Sequence, residues 1–191
     1  MSPNKILVLV GSANDLPFAR RIDEFLRKSR FPVKCEYRIN SAHRNIEKLL
    51  IDVRNYEQSQ EKIVYITVVG LSDAMSGIVA GISQSPVIAC PPDLEKHGLP
   101  KAFSSMMMPQ GIAVNLVLMP ENAALAAVKI LALSDISLKN HVAEYLINMK
   151  NAVAKADAEL RQKEEQARKQ EDMNSIEHLE HEEHVKHTED A

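Results

Sequence analysis

Ser41-Ala42-His43-Arg44 sets the only histidine of the first ninety residues directly behind residues 33–39, which read as a β-strand, and helix signals resume at Asn45. In an alternating strand/helix chain, the carboxyl end of a strand is where open α/β sheets bind ligands. Imidazole gives or takes a proton near neutral pH, so His43 is placed for general acid–base work, although an ordinary polar loop histidine fits the same spacing. A second loop, Gly11-Ser12-Ala13-Asn14-Asp15, follows the apolar run Ile6-Leu7-Val8-Leu9-Val10 and opens a helical stretch, residues 16–28. Backbone N–H groups at a helix N-terminus carry about half a positive charge and suit a phosphate, to which Ser12 and Asn14 can add hydrogen bonds. Asp15 would repel a phosphate and fits better on sugar hydroxyls; a capping role for Asn14 or Asp15 is compatible with either. Arg44 offers a planar fork to the same phosphate, or stands as a solvated charge at the start of the next helix.

These loops need a scaffold that lays strand ends side by side, and the rest of the chain supplies one. Residues 45–56 read as a helix with Ile46, Leu49, Leu50 and Val53 on one side. Residues 62–69 are β-branched and apolar enough for a central strand, ending in Gly70-Leu71-Ser72-Asp73-Ala74-Met75-Ser76-Gly77, a turn into a small-residue helix through Gly81. Residues 86–90 form a fourth strand, stopped by Pro91-Pro92 because successive prolines remove backbone donors. A fifth strand, residues 113–118, precedes Pro120-Glu121-Asn122 and a helix over 123–133. The pattern predicts an α/β fold, a three-layer αβα sandwich with a central parallel sheet, whose loops wall a pocket for a phosphorylated small molecule.

Composition limits the alternatives. The chain has 191 residues, 45% of them hydrophobic, enough for one sizeable core. A net charge of −3 gives no basic footprint for nucleic acid, and 4% aromatic residues offer few stacking platforms for bases. No apolar run reaches the about 18 residues of a membrane span. Residues 6–10 are shorter than the usual about seven- to fifteen-residue core of an export signal, so the expected location is the cytoplasm, with Cys35 and Cys90 as reduced core thiols. Residues 135–160 carry Ile136, Leu138, Val142, Leu146, Ile147 and Val153 at helical spacing, the pattern of a helix burying one face. The expected domain is therefore residues 1–160, followed by a charged tail, 161–191, that is a solvated helix or disordered. In that tail His178, His181, His184 and His187 recur every third residue; the spacing drifts about 60° per step around a helix, so the four cannot share one face, and although adjacent pairs could chelate weakly no metal site is expected.

Taken together, Gly11-Ser12-Ala13-Asn14-Asp15, Ser41-Ala42-His43-Arg44, the Gly70 to Gly77 loop, Met108-Pro109-Gln110-Gly111 and Glu121-Asn122-Ala123-Ala124 resemble the PurE family, the aminoimidazole ribonucleotide carboxylases and mutases of purine biosynthesis, over residues 5–158. The resemblance implies a flavodoxin-like fold with a C-terminal helix, and a homo-oligomer, tetramer or octamer, packed through that helix. It implies that Ser12, Asn14, Asp15, Ser41 and Arg44 hold the ribose 5-phosphate, with Gly11 and Ala42 of the same loops among the substrate-binding residues, and that His43 transfers the proton. Gly70, Leu71, Ser72, Asp73, Ala74, Met75, Met108 and Pro109 would wall the imidazole and the carboxyl or CO2 site. The expected partners are aminoimidazole ribonucleotide and CO2 as co-substrate, with no cofactor, no nucleic acid and no membrane.

The family divides into two branches. One moves a carboxyl group from N5 to C4 of the ribonucleotide and usually has a histidine where Ala74 stands; the other joins CO2 directly and lacks it. Ala74, the Ser72-Asp73-Ala74-Met75-Ser76-Gly77 continuation and Cys90-Pro91-Pro92 resemble the CO2-using branch. Against that branch's pattern stand Leu71 and Met107 in place of arginines, Asp73 in place of asparagine, and Arg44 in place of lysine. The expectation is a phosphoribosylaminoimidazole carboxylase, a carboxy-lyase. Its rivals are the mutase, an isomerase, and a non-catalytic binder of a phosphorylated nucleotide.

Overall fold

The computed structural model describes residues 3–189, apart from the side chains of residues 99, 172 and 174–189. Five strands, β1 (Asn4–Val10), β2 (Lys34–Ile39), β3 (Lys62–Val68), β4 (Val87–Ala89) and β5 (Asn115–Leu116), form one all-parallel sheet in the order β2-β1-β3-β4-β5. This is the flavodoxin-like order, whose ligand crevice lies where the winding reverses, between β1 and β3.

Register decides which side chains meet. Leu7 lies opposite Tyr65 and Val8 opposite Ile66, so alternate residues of β1 and β3 fall on opposite faces. On one face Leu7, Leu9, Ile63, Tyr65 and Val87 pack with Leu49 and Val53 of α2 (Ile46–Glu57) and Met75 and Val79 of α3 (Ala74–Ile82). On the other, Ile6, Val8, Val10, Val64, Ile66 and Ile88 are buried beneath α1 (Leu16–Lys28) and α6 (Pro120–Leu131). The small buried residues of α6, Ala123, Ala124 and Ala127, permit its close approach to the sheet. Arg21 binds both carboxylate oxygens of Glu121, at 2.8 and 3.1 Å, tying α1 to α6. The three-layer expectation holds.

Three details differ from it. Residues 94–106 hold two short helices, α4 (Leu94–His97) and α5 (Leu99–Met106), where no element was expected. Asp93 (φ 58°) and Gly98 (φ 68°) bend the chain on either side of α4, and helices of four and eight residues are too short for periodicity to reveal. α3 begins at Ala74, so only the first half of the Gly70 to Gly77 stretch is a turn. The fifth strand shrinks to Asn115–Leu116, and Cys90 lies one residue past β4. Both cysteines are free thiols, and burial pushes Cys35 up to about 11 and Cys90 up to about 12.

Residues 1–143 form one compact unit and residues 144–191 another. α7 (Ile136–Glu189) starts in the first, where Leu138 and Val142 are buried and the Leu138 backbone N–H donates to Asp135 at 3.0 Å. Of the remaining apolar positions expected to be buried, Ile136, Leu146, Ile147 and Val153 are exposed in the single chain. The backbone of 161–189 is helical, and the side chains of His178, His181, His184 and His187 lie outside those described. Among the described residues no helix is long and apolar enough to cross a membrane.

Candidate functional site

Four loops leave the carboxyl ends of neighbouring strands on one edge of the sheet: residues 41–44 after β2, 11–15 after β1, 69–75 after β3 and 93–97 after β4. They line one cavity of about 620 Å³. It takes in Gly11, Ser12, Asn14, Asp15, Ser41, Ala42, His43, Arg44, Gly70, Leu71, Ser72 and Met75, all singled out in the sequence.

Each loop is pinned by local chemistry. The Gly11 N–H donates to the Val68 carbonyl at 2.8 Å, holding the first loop against β3. A 3-10 turn (Ala13–Asp15) then leads into α1, whose first turn carries Pro17. Asp15 occupies the N-cap position but makes no capping bond; its carboxylate is buried and accepts a hydrogen bond from the Ser12 hydroxyl at 2.9 Å. A Cβ on Gly70 would stand 2.8 Å from Asp15 Oδ1, so a glycine is what lets this carboxylate lie against the third loop.

The second loop is braced from beneath. Asn40, buried, donates to Asp52 Oδ2 at 3.1 Å and accepts from Lys48 Nζ at 3.1 Å, and Lys48 also pairs with Asp52. Burial opposes ionisation of Asp52, but the hydrogen bonds from Lys48 and Asn40 outweigh it and hold the carboxyl below its ordinary range. Ser41 Oγ accepts from the Arg44 N–H at 3.2 Å, and Asn45 Oδ1 caps α2 through the Lys48 N–H at 3.1 Å. His43 and Arg44 are thus projected from a rigid turn. Their side chains are exposed and have no hydrogen-bond or ion-pair partner among the described residues.

The structure parts four expected site residues from the cavity wall. Asp73 is buried and faces the protein, accepting from the Ser76 N–H at 3.0 Å, the Ser76 hydroxyl at 2.5 Å and the Ser105 hydroxyl at 2.6 Å. That is an N-cap of α3 extended into a clamp on α5. Ala74, the first residue of α3, does not line the cavity. Nor do Met108 and Pro109: the Met108 sulfur lies against α3, 3.0 Å from where a Gly77 Cβ would be, and Pro109 is exposed. Their place in the wall is taken by Val69, Asp93, Lys96 and His97. The last three follow the end of β4, so the strand-end rule that singles out His43 also finds them. Beneath them Lys101 is buried and its ammonium donates to the Pro92 carbonyl. Burial lowers its pKa, and Asp93, Asp15 and Asp73 oppose the shift.

An open parallel α/β domain with a polar cleft at its winding reversal is the class that fold and site define. A family model described as AIR carboxylase matches residues 5–152. The chain is 41% identical over 157 residues to a phosphoribosylaminoimidazole carboxylase of Archaeoglobus fulgidus, covering 82% of this chain and 85% of that one. It is 36% identical to an N5-carboxyaminoimidazole ribonucleotide mutase of Methanocaldococcus jannaschii, covering 82% and 98%. The crystal structure of Treponema denticola PurE superposes with a TM-score of 0.78 at 34% identity, covering 82% of this chain and 98% of that one. The chain therefore belongs to the AIR carboxylase (PurE) family, enzymes of purine biosynthesis.

Proposed function

We propose that this chain is a phosphoribosylaminoimidazole carboxylase that joins CO2 to C4 of aminoimidazole ribonucleotide. The observation that carries the reading is the meeting of His43, Arg44 and the loop entering α1 in one cavity. The phosphate would be held by the N–H groups entering α1 with Ser12, Asn14, Ser41 and Arg44, and Asp15, kept in place by Ser12, would face the ribose hydroxyls. The electron-rich C4 attacks the carbon of CO2, forming the new C–C bond while one C=O electron pair moves to oxygen as carboxylate. The proton on C4 then leaves to the His43 imidazole, restoring the aromatic ring, and passes to water. In reverse His43 returns that proton. The proposed reaction uses no cofactor, CO2 being the second substrate and held by position more than by affinity.

The choice of branch rests on Ala74. An alanine there leaves the start of α3 without a second proton carrier, which a carboxyl shift from N5 to C4 would use. The expected behaviour is carboxylation that rises with dissolved CO2 and no use of the N5-carboxylated ribonucleotide beyond its spontaneous breakdown. Rapid conversion of that compound while CO2 is scavenged would make the chain a mutase. Binding of the ribonucleotide with no turnover of either substrate would make it a non-catalytic binder.

A further inference from the structure

Among the described residues, the carboxylates of Asp15 and Asp73 are buried at the strand-end edge of the sheet, and Lys101 is the buried cation there; Lys5, the other buried lysine, lies at the amino end of β1. The two acids are not equally provided for. Asp73 accepts from the Ser105 hydroxyl and from both the N–H and the hydroxyl of Ser76, whereas Asp15 accepts from the Ser12 hydroxyl alone. A buried carboxylate with a single neutral donor needs a cation close by. The fold brings Lys101 to that place. α5 turns a polar side inward, burying Lys101 and Ser105 while Phe103 and Met106 are exposed. Ser104 Oγ accepts from the Asp73 N–H at 3.2 Å and donates to the Lys101 carbonyl at 2.9 Å, so the third loop holds α5 at the residue that bears the ammonium. That ammonium donates to the Pro92 carbonyl. Thr67 of β3 pairs with Ala89 of β4, and the same register carried past the strand ends sets Gly70 level with Pro92. Asp15 lies against Gly70, so acid and ammonium stand over neighbouring strands whose axes are about 4.8 Å apart. Asp15, Asp73 and the exposed Asp93 all favour the charged form of Lys101.

We infer that Lys101 is a positioning residue for the nucleotide: without lining the cavity, its buried charge offsets that of Asp15, so that a phosphate binds the loop entering α1 beside a buried carboxylate. The inference rests on the carboxylase reading, in which Asp15 faces the ribose and the same loop holds the phosphate. A carboxylate kept for the ribose hydroxyls repels the phosphate of the same nucleotide, and one positive charge behind it cancels that repulsion. Asp73 does not call on Lys101 in this way, because its own donors satisfy it and it does not line the cavity. Asp93 is exposed, so water screens its charge.

The test is calorimetric titration of the full chain, in CO2-free buffer of low ionic strength, with aminoimidazole ribonucleotide and, separately, its dephosphorylated nucleoside. The ratio of the two affinities cancels contacts to ribose and base and reads the phosphate alone, so a merely structural role, which weakens both ligands alike, leaves it unmoved. Lys101→Gln keeps a donor for the Pro92 carbonyl and loses the charge; Lys101→Met loses both. Each should lower the ratio about three- to tenfold, the range of one unit charge partly screened by solvent, and added salt should shrink the difference. Asp15→Asn should raise the ratio, and the double variant Asp15→Asn with Lys101→Gln, neutral again as a pair, should return it to near that of the unmodified chain. A ratio that Lys101→Gln leaves unchanged, whatever Lys101→Met does, would place the role of Lys101 in its hydrogen bond and overturn the inference. If the single Lys101 variants do not fold, the double variant is compared with Asp15→Asn: the same three- to tenfold fall supports the inference, and equal ratios overturn it. If the unmodified chain does not prefer the nucleotide to the nucleoside, the phosphate site of the carboxylase reading itself fails, a result visible before any variant is made.

Discussion

In the proposed carboxylation His43 carries the chemical step, and its surroundings explain why a substitution there should separate turnover from binding. The loop's shape comes from Ser41, Asn45 and the Asn40–Lys48–Asp52 brace, none of which uses the imidazole. His43→Asn should therefore lower kcat about 10²- to 10⁴-fold, the worth of a positioned proton carrier, while ribonucleotide affinity measured by titration stays within about twofold. Near-normal turnover would take the proton step away from His43. Arg44 and Ser12 should behave in the opposite sense. Arg44→Ala removes a guanidinium that has no partner among the described residues and should raise KM, while Ser12→Ala should raise it less, since charge-assisted hydrogen bonds are about twice as strong as neutral ones. A chain that binds the ribonucleotide and its dephosphorylated nucleoside equally well would have no phosphate site at this end.

Among the elements, the start of α3 and the edge strand β2 depend most on buried polar contacts. Asp73 gives three acceptor contacts to Ser76 and Ser105, joining α3 to α5 under the cavity. Asp73→Ala strands those donors and should cost about 2–4 kcal/mol in urea unfolding, while Asp73→Asn, which keeps one carbonyl acceptor, should cost less. Equal costs for the two would show that the clamp contributes only its shape. On β2, Glu36 accepts from the Tyr56 hydroxyl at 2.6 Å and pairs with Lys5, which also binds Glu61. The Tyr56 hydrogen bond, with help from Lys5 and Arg38, outweighs burial and lowers the Glu36 pKa. Burial works against the charged form of Lys5, but hydrogen bonds from it to Glu61 and Glu36 prevail and raise its pKa. A carboxylate lowered on folding stabilises above its unfolded pKa of about 4.3 and loses that contribution as pH falls through the lower folded value. A raised lysine contributes below its unfolded value of about 10.4 and loses the contribution only as pH rises past it. The cluster should thus leave stability flat from about pH 6 to 9 and weaken it below about pH 4, and Glu36→Gln should flatten that acid limb. An unchanged acid limb in this variant would place the acid sensitivity elsewhere, Asp52 being the next candidate.

At the scale of the whole molecule, the cavity and the core that positions it belong to residues 1–143. Beyond Leu160 the side chains described are charged or polar apart from Ala167 and the exposed Met173, so little apolar surface is available to stabilise the core. Removing residues 161–191 should change Tm by less than about 3 °C, equivalent to about 1 kcal/mol for a chain of this size, and leave ribonucleotide affinity unchanged. A larger fall in either would show that the tail docks on the body or on another copy. Leu146, Ile147 and Val153 mark a different kind of surface, because their helical spacing gives α7 an apolar stripe that one chain leaves exposed.

The local grammar of the chain was enough to locate the His43 loop and the loop entering α1, which line one cavity, and the parallel sandwich that brings them together. Strand ends, glycine turns and apolar periodicity are short-range features, and parallel sheets place all their strand ends on common edges. Which residues of those loops face the cleft was a tertiary decision. Asp73 carries the charge of a binding residue, yet it is spent on two serine hydroxyls and a backbone N–H because α5 packs beside α3. Lys96 and His97 sit on a helix too short to show a period, and they enter the cavity only because β4 pairs next to β3. The apolar stripe of α7 was visible in the residue spacing, whereas only packing distinguishes Leu138 and Val142, which are covered, from Ile147 and Val153, which are not. Sequence patterns specify the faces of an element; burial depends on what the rest of the molecule lays against them.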